Sequence, residues 1–430
     1  VQAAVARSRQ TNVSLDQEAS QATLPPPAEL TVQPRGRLDG QVGQSPTAQV
    51  TTGTTQLKVD WAGEQIAMQL DRDRLFVTNR FQIAAYRVAD GSRLWQSEKL
   101  PGSLRRSRDW TLIRMRPLLT AERIYARMLY GEGPSLGCWN KEDGKLIWAS
   151  PMQRGYMVLS DPMIIRGQLL VLVGHRNEQA NWLVDLVQVN PQTGLFETEQ
   201  RLLELRSTWE TRKCCEVTVV GDEFIASFSG IVLRSNAQGQ IRWLRKQELV
   251  PASVDSTWVQ QSFQQPLLVD GKLFLAQPGV RAVECVEPDT GRLLWQSVLP
   301  DLRRLVGWSG GKLMVQTGNQ LVALDVVDGT QQWQVAERNF LMACLCDQQY
   351  VLALTTEPTN PQQNKFQPKL VWYNCETGLP AGEAVLDLFN SPDVWVGPMF
   401  AHAGNLWLFS GEPRTSGNRV LMQLVPKPGS

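Results

Sequence analysis

Short apolar runs and polar turns alternate along the chain from about residue 55. The runs span four to seven residues, are rich in Val, Leu, Ile, Trp and Phe, and are separated by Asp-Gly, Gly-Gly and similar turns. Runs of this length between turn residues are typical of β-strands, whereas an amphipathic helix repeats its apolar positions every three to four residues. No long stretch has the helical period, so the pattern predicts an all-β fold.

The polar turns form a repeat. A glycine that follows a polar turn recurs with spacings of 38 to 53 residues, at Gly91, Gly144, Gly194, Gly239, Gly291, Gly329 and Gly378. In five repeats a tryptophan stands four residues after the glycine, namely Trp95, Trp148, Trp243, Trp295 and Trp333. A repeat of this length is the signature of stacked supersecondary units. A tryptophan at one fixed position would bury a large apolar surface at each seam between units.

Each repeat contains four apolar runs, which the residues 264–298 show most clearly. The seven units with a turn glycine are followed by three more runs over residues 398–425, whereas Thr55–Trp61 belongs to no unit. Pairing the first strand of a propeller with its last unit removes an exposed sheet edge. The sequence therefore predicts an eight-bladed β-propeller of four-stranded antiparallel blades over residues 55–430, closed by this N-terminal strand.

The segment before the repeats has a different composition. Residues 1–54 are rich in Gln, Ala, Ser, Pro and Gly, a composition that predicts a disordered tail or an interdomain linker. No apolar run reaches the roughly 18 residues of a membrane helix. The chain begins with Val and without the apolar core of a signal peptide, so either a targeting segment has been removed or the chain is a piece of a longer protein.

Three segments match a known repeat closely. Residues 85–95, 287–295 and 323–333 resemble the tryptophan-docking repeat of pyrroloquinoline-quinone propellers, which reads Ala-x-Asp-x-x-Thr-Gly-x-x-x-Trp. The third and seventh repeats depart from it, with Thr198 and Gly382 in place of Trp. The family contains quinoprotein alcohol dehydrogenases and also non-enzymatic scaffolds such as the outer-membrane assembly lipoprotein BamB. The resemblance therefore implies the fold and leaves both functions open.

The enzymatic alternative depends on an adjacent cysteine pair. The resemblance implies that a dehydrogenase of this family holds its quinone between a tryptophan and a disulfide of neighbouring cysteines, over a calcium ion, and Cys214 and Cys215 are neighbours. The repeat places this pair at the start of the first strand of the fourth unit, and no residues match the calcium ligands or the catalytic Asp. We therefore predict no catalytic residue and no cofactor.

Charge and composition restrict the kinds of ligand that the chain is expected to bind. The 43 basic and 42 acidic residues give a net charge of +1, which argues against nucleic-acid binding because that needs an excess of basic residues. The two histidines, at positions 175 and 402, and the absence of a CxxC pair predict no metal site with the usual zinc spacings. The seven cysteines are scattered and form no disulfide framework.

Basic residues collect in the loops that would open on one face of a propeller. These are Arg105, Arg106, Arg108, Arg154, Arg201, Arg206, Arg212, Lys213, Arg303, Arg304, Lys365, Lys369 and Arg414. Of these, the predicted partner-binding residues are Arg105, Arg106, Arg108, Arg206, Arg303 and Arg304. Long hairpins are predicted on the same face at 129–136, 174–182, 355–369 and 411–418. Because long loops on a rigid scaffold often carry function, we predict that a partner docks on this face.

The sequence thus predicts a non-catalytic scaffold for protein–protein interaction, as one domain of a larger bacterial protein. The resemblance implies that the protein works in the periplasm or elsewhere outside the cytoplasm. Peripheral association with a membrane is compatible with this location. The alternatives are a quinone-dependent dehydrogenase and a glycan-binding propeller. The latter would expose aromatic side chains on the loop face, for which Trp110, Trp182 and Trp258 are the candidates.

Overall fold

A computed structural model describes most of the chain from residue 30 onward. The described residues are 30–38, 48–52, 55–59, 67–78, 81–100, 115–131, 133–150, 152, 155–205, 215–228, 230–248, 265–276, 280–337, 340, 342–346, 349–360, 365–386, 395–402, 405–411 and 419–426. Every regular element among them is a β-strand, which confirms the all-β prediction. No helix in this part of the chain is long and apolar enough to span a bilayer.

The described strands fall into two compact units, the first of which comprises the described residues within 65–87 and 93–294. Its strands are β4 Ala67–Asp71, β5 Arg74–Thr78, β6 Ile83–Arg87, β7 Arg93–Gln96, β8 Pro117–Leu119, β9 Arg123–Tyr130, β10 Gly133–Asn140, β11 Leu146–Ser150, β12 Met157–Val158, β13 Met163–Ile165, β14 Gln168–Arg176, β15 Trp182–Val189, β16 Phe196–Leu205, β17 Glu216–Val220, β18 Glu223–Phe228, β19 Ile231–Asn236, β20 Ile241–Lys246, β21 Leu267–Val269, β22 Lys272–Leu275, β23 Ala282–Val286 and the start of β24 Leu293–Val298.

The second unit comprises the described residues within 30–64, 88–92 and 295–426. Its strands are β1 Leu30–Leu38, β2 Ala48–Thr52, β3 Thr55–Val59, β25 Arg304–Ser309, β26 Lys312–Gln316, β27 Gln320–Asp325, β28 Gln331–Ala336, β29 Met342–Cys346, β30 Tyr350–Asn360, β31 Lys365–Asn374, β32 Pro380–Val385, β33 Trp395–His402, β34 Asn405–Gly411 and β35 Arg419–Pro426.

Seven sheets are antiparallel blades in which consecutive strands are neighbours. They are β4–β7, β8–β11, β12–β16, β17–β20, β21–β24, β25–β28 and β29–β32, which we number as the first to seventh blades. Six have four strands, and in the third blade the first strand is split into β12 and β13, both paired with β14. Each blade contains one of the seven turn glycines, in the loop between its third and fourth strands.

The prediction of eight four-stranded blades is wrong. The remaining sheet is not such a blade, because it has six strands in the order β1-β35-β34-β33-β3-β2 and a parallel pair, β3 with β33. The predicted fourth strand, Thr55–Trp61, is not beside β35, where Leu30–Leu38 pairs instead. Strands β1 and β2 precede residue 55, and the division of the chain at this residue stays a prediction.

The glycine turns are built alike. In the second blade, the Asn140 side-chain oxygen accepts a hydrogen bond from the Glu142 backbone N–H at 2.8 Å, and the Gly144 N–H donates to the Asn140 carbonyl at 3.0 Å. The chain then turns back through Gly144, whose φ of 70° favours glycine. The side chains of Asn190, Asn236, Asp325 and Asn374 accept equivalent bonds in other blades.

Separate apolar clusters lie between neighbouring blades. The cluster between the second and third blades, for example, joins Leu136 and Cys138 to Val171 and Val187. Similar clusters join the first blade to the second, the third to the fourth, the fourth to the fifth and the sixth to the seventh. Burial of both faces of a blade explains why the inner strands read as nearly continuous apolar runs.

Candidate functional site

The tryptophan of one blade docks on the glycine turn of the next. The Trp243 ring lies against Gly291, where a Cβ atom would come within 2.7 Å of ring carbons. The Trp243 indole N–H donates to the Pro288 carbonyl of the same turn at 2.8 Å. Glycine is thus required at this position for two reasons: its φ is 72°, and the Trp243 ring leaves no room for a Cβ atom.

The same docking recurs at other seams. The ring–glycine pairs are Trp95 with Gly144, Trp148 with Gly194, Trp295 with Gly329 and Trp333 with Gly378. The indole groups of Trp148, Trp295 and Trp333 donate to a carbonyl three residues before the glycine. Where Thr198 replaces tryptophan, Gly239 instead faces Gln200 and Leu202. These contacts make the repeat a device for joining blades.

Cys215 does not fit a quinone site. Its side chain is 1% exposed and belongs to the apolar cluster that contains Leu159, Val217 and Phe228. Its thiol donates to the Glu216 carbonyl at 3.5 Å. Cys214 lies outside the described residues. A sulfur packed among apolar side chains is not placed to cover a flat cofactor.

Four further cysteines are also buried, namely Cys138, Cys285, Cys344 and Cys375. Burial raises the pKa of the Cys138 thiol to about 12 and that of Cys285 to about 11. The thiolate is the reactive form of cysteine, so these thiols have the character of core residues.

The predicted basic face is described only in part. Arg105, Arg106, Arg108 and Arg206 lie outside the described residues. Arg303 and Arg304 are half-buried at the start of the sixth blade. The Arg304 guanidinium donates to the Gln316 side chain at 3.0 Å and to the Ala343 carbonyl, so it links the sixth blade to the seventh. We therefore assign Arg304 a structural role.

The aromatic candidates for glycan binding differ in their placement. Trp182 is 5% exposed and packs among the apolar residues between the third and fourth blades. A stacking platform for a sugar ring needs an open face, which this tryptophan lacks. Trp110 and Trp258 lie outside the described residues.

The long hairpin predicted at 355–369 is a β-ribbon that extends past its blade. Strand β29 pairs with β30 only as far as Leu354, and β32 pairs with β31 from Lys369 onward. The β30–β31 ladder continues beyond both, through Glu357 opposite Gln367, to Asn360 opposite Lys365. In the described part of the chain no third strand pairs with this extension.

A buried ionic cluster in the first unit had no local sequence signal. The Arg127 guanidinium is 3.2 Å from the Asp161 carboxylate, and Arg116 is 2.6 Å from Glu216 and 4.0 Å from Asp161. Burial, aided by the charge of Glu216, raises the pKa of Asp161 to about 6 against the opposing effect of Arg127. Its members come from three consecutive blades and are joined only by the fold.

Comparison with known proteins agrees with the docking repeat and the blade architecture, which define a β-propeller of the quinoprotein-repeat type. The family described as "Outer membrane protein assembly factor BamB" matches residues 79–280 and 280–357. Since this is more than half of the chain, the chain belongs to that family. No curated protein sequence matches it significantly.

Two solved structures share the fold at low sequence identity. BamB from Moraxella catarrhalis has 12% identity and a TM-score of 0.55, over 90% of this chain and 99% of that one. Quinohemoprotein alcohol dehydrogenase from Comamonas testosteroni has 10% identity and a TM-score of 0.58, over 97% of this chain and 81% of that one. One neighbour is named BamB and the other is named as an alcohol dehydrogenase, so the shared fold does not decide between a scaffold and an enzyme.

Proposed function

We propose that this chain is a non-catalytic scaffold that binds a protein partner outside the cytoplasm. Membership of the BamB family supports both parts of the proposal. The observation that carries it is the ribbon formed by residues 356–360 and 365–368, which we call the seventh-blade ribbon. It continues strands that are buried in the body of the blade at residues 351–354 and 370–372, so a partner would meet an element anchored in the core.

The seventh-blade ribbon suits strand addition. Among the described residues no further strand pairs with either side of this extension, although at its base the Pro368 carbonyl accepts a hydrogen bond from the Leu386 N–H at 2.8 Å. The unpaired N–H and C=O groups of such an edge can bind an extended segment of another chain. Pro358 and Pro368 lack a backbone donor, which limits uncontrolled pairing along these edges. We therefore expect the partner to present an extended segment here.

The proposal keeps the predicted basic face, but with fewer residues as candidates for partner contact. Arg105, Arg106, Arg108 and Arg206 stay candidates for contact with an acidic region of the partner. Arg304 does not, because its guanidinium is used between blades. Charge reversal at Arg105 and Arg106 should slow association, and more strongly at low ionic strength.

Site-specific photo-cross-linking in the native host tests the proposal. A photoreactive side chain is placed at Thr359 in the seventh-blade ribbon and, as a matched control, at Val327, which is 70% exposed on the glycine turn of the sixth blade. We expect a discrete protein adduct from position 359 and none from position 327. A photoreactive side chain at Gln367, on the other strand of the ribbon, should give an adduct with the same protein. That adduct should disappear when residues 357–360 are replaced by Gly and Ser.

Equal labelling at the two positions, or none at either, would contradict docking at the ribbon. The dehydrogenase alternative is tested on the same protein. After incubation with pyrroloquinoline quinone and Ca²⁺, a bound chromophore with alcohol-dependent dye reduction would overturn the non-catalytic assignment.

A further inference from the structure

Three adjacent strands of the third blade bring a histidine and two carboxylates together. His175 is in β14, Asp185 in β15 and Glu199 in β16, and one ligand atom from each lies within 4.8 Å of the other two. The His175 Nε2 atom is 3.0 Å from Asp185 Oδ2. These residues are 10 and 14 positions apart in sequence, so no short metal motif marks them.

Two of the three ligand atoms are held in place by neighbours. Asp185 is 1% exposed, and its second carboxylate oxygen, Oδ1, accepts a hydrogen bond from the Arg201 guanidinium. This leaves Oδ2 directed to the histidine. The Tyr156 ring stacks on the His175 imidazole, with ring centres 4.3 Å apart and planes at 16°. Support of this kind around a ligand keeps its orientation before the metal arrives.

The charges of the group favour a cation. The Asp185 and Glu199 carboxylates each place an oxygen within 4.8 Å of the other and of the imidazole, so the two groups repel each other when both are ionised. The Arg201 guanidinium supplies one positive charge against these two carboxylates. A divalent cation between the ligands would relieve this repulsion.

We propose that His175, Asp185 and Glu199 bind one divalent transition-metal ion of the kind that Zn²⁺ represents. Ligand atoms about 2.0–2.1 Å from a tetrahedral zinc ion are roughly 3.3 Å from each other, which the histidine–aspartate pair already approaches. Glu199 is exposed, so its side chain can move the remaining distance. An imidazole with two carboxylates suits zinc and its neighbours, whereas Ca²⁺ and Mg²⁺ take oxygen ligands and more of them.

Calorimetric titration of the chelator-treated full chain with Zn²⁺ at pH 7.5 tests the site. We expect one ion to bind per chain, and His175→Gln and Glu199→Gln each to weaken binding at least tenfold. Glu197→Gln is the matched control, since Glu197 is two residues away on β16 with its carboxylate bonded to Gln188 and Asn190. It should leave Zn²⁺ binding unchanged.

Co²⁺ supplies a second readout that does not depend on variants. The bound Co²⁺ should show the visible absorption bands of a site with nitrogen and oxygen ligands, since the proposed ligands are an imidazole and two carboxylates. The chain also has seven cysteines, and binding of Co²⁺ to any of them would be recognised by a thiolate-to-metal charge-transfer band. Absence of binding to the wild-type chain would overturn the proposal. Binding that survives both ligand substitutions, or a thiolate band, would do so as well. Far-ultraviolet circular dichroism of each metal-free variant verifies that it is folded.

Discussion

Gly291→Ala is expected to destabilise the protein by about 2–4 kcal/mol, whereas Gly271→Ala should cost only about 1–2 kcal/mol. The two glycines belong to the same blade and have nearly equal φ angles, 72° and 70°. A Cβ atom at Gly271 meets nothing within 4 Å, whereas one at Gly291 comes within 2.7 Å of the Trp243 ring. Both substitutions therefore lose a similar amount of stability from placing a Cβ atom at positive φ. The difference between their unfolding free energies measures the contact between the Trp243 ring and Gly291.

Denaturant unfolding of both variants, followed by circular dichroism, measures this difference. A double-mutant cycle isolates the ring. In a Trp243→Ala background the cost of Gly291→Ala should fall to that of Gly271→Ala, because the methyl group then has no ring to displace. Equal costs for the two glycine substitutions in the wild-type background would show that the ring does not constrain the turn.

The seams explain why much of the blade architecture could be predicted from the sequence. A turn that needs a positive φ and also accepts a tryptophan ring admits little besides glycine, so the requirement appears as a fixed Gly-to-Trp spacing. In the structure each of the seven turn glycines lies in a separate blade. The error concerned residues 398–425, which have no such turn and were assigned to an eighth blade by extension of the repeat.

Pairing of the terminal strands has no comparable local signature. Strand β1 pairs with β35, nearly 400 residues away in sequence, and the apolar pattern of a strand does not identify its neighbour. The pairing of β3 with β33 is parallel and limited to Val59 opposite Val396. The choice of β1 over β3 as the neighbour of β35 therefore depends on the whole fold.

The candidate sites were hidden for the same reason. Arg116 and Glu216 form an ion pair across 100 positions, and charged residues in a sequence are first assigned to the solvated surface. Arg304 illustrates the converse case. It lies in a predicted basic loop, but its guanidinium bonds to a carbonyl of the next blade. Local patterns give the sign of a charge and not its burial.

The largest single effect is expected from Arg127→Met, which should destabilise the protein by about 3–5 kcal/mol at pH 8. Arg127 is fully buried, and its guanidinium contacts the Asp161 carboxylate and donates to the Leu159 carbonyl. Methionine fills much of the space with a flexible apolar chain. The loss therefore comes mainly from leaving Asp161 buried beside Glu216 without its closest positive partner.

The pH dependence distinguishes this cause from lost packing. The pKa of Asp161 is raised to about 6 in the folded protein, and removal of Arg127 raises it further. At pH 5 the carboxyl is protonated in both proteins, so the variant loses less stability there, and its deficit should grow as the pH rises through about 6. Arg166→Met breaks an exposed pair with Asp222 and should cost less than about 1 kcal/mol at either pH. A deficit for Arg127→Met that is equal at pH 5 and pH 8 would assign its role to packing and to the Leu159 hydrogen bond, and not to the charge of Asp161.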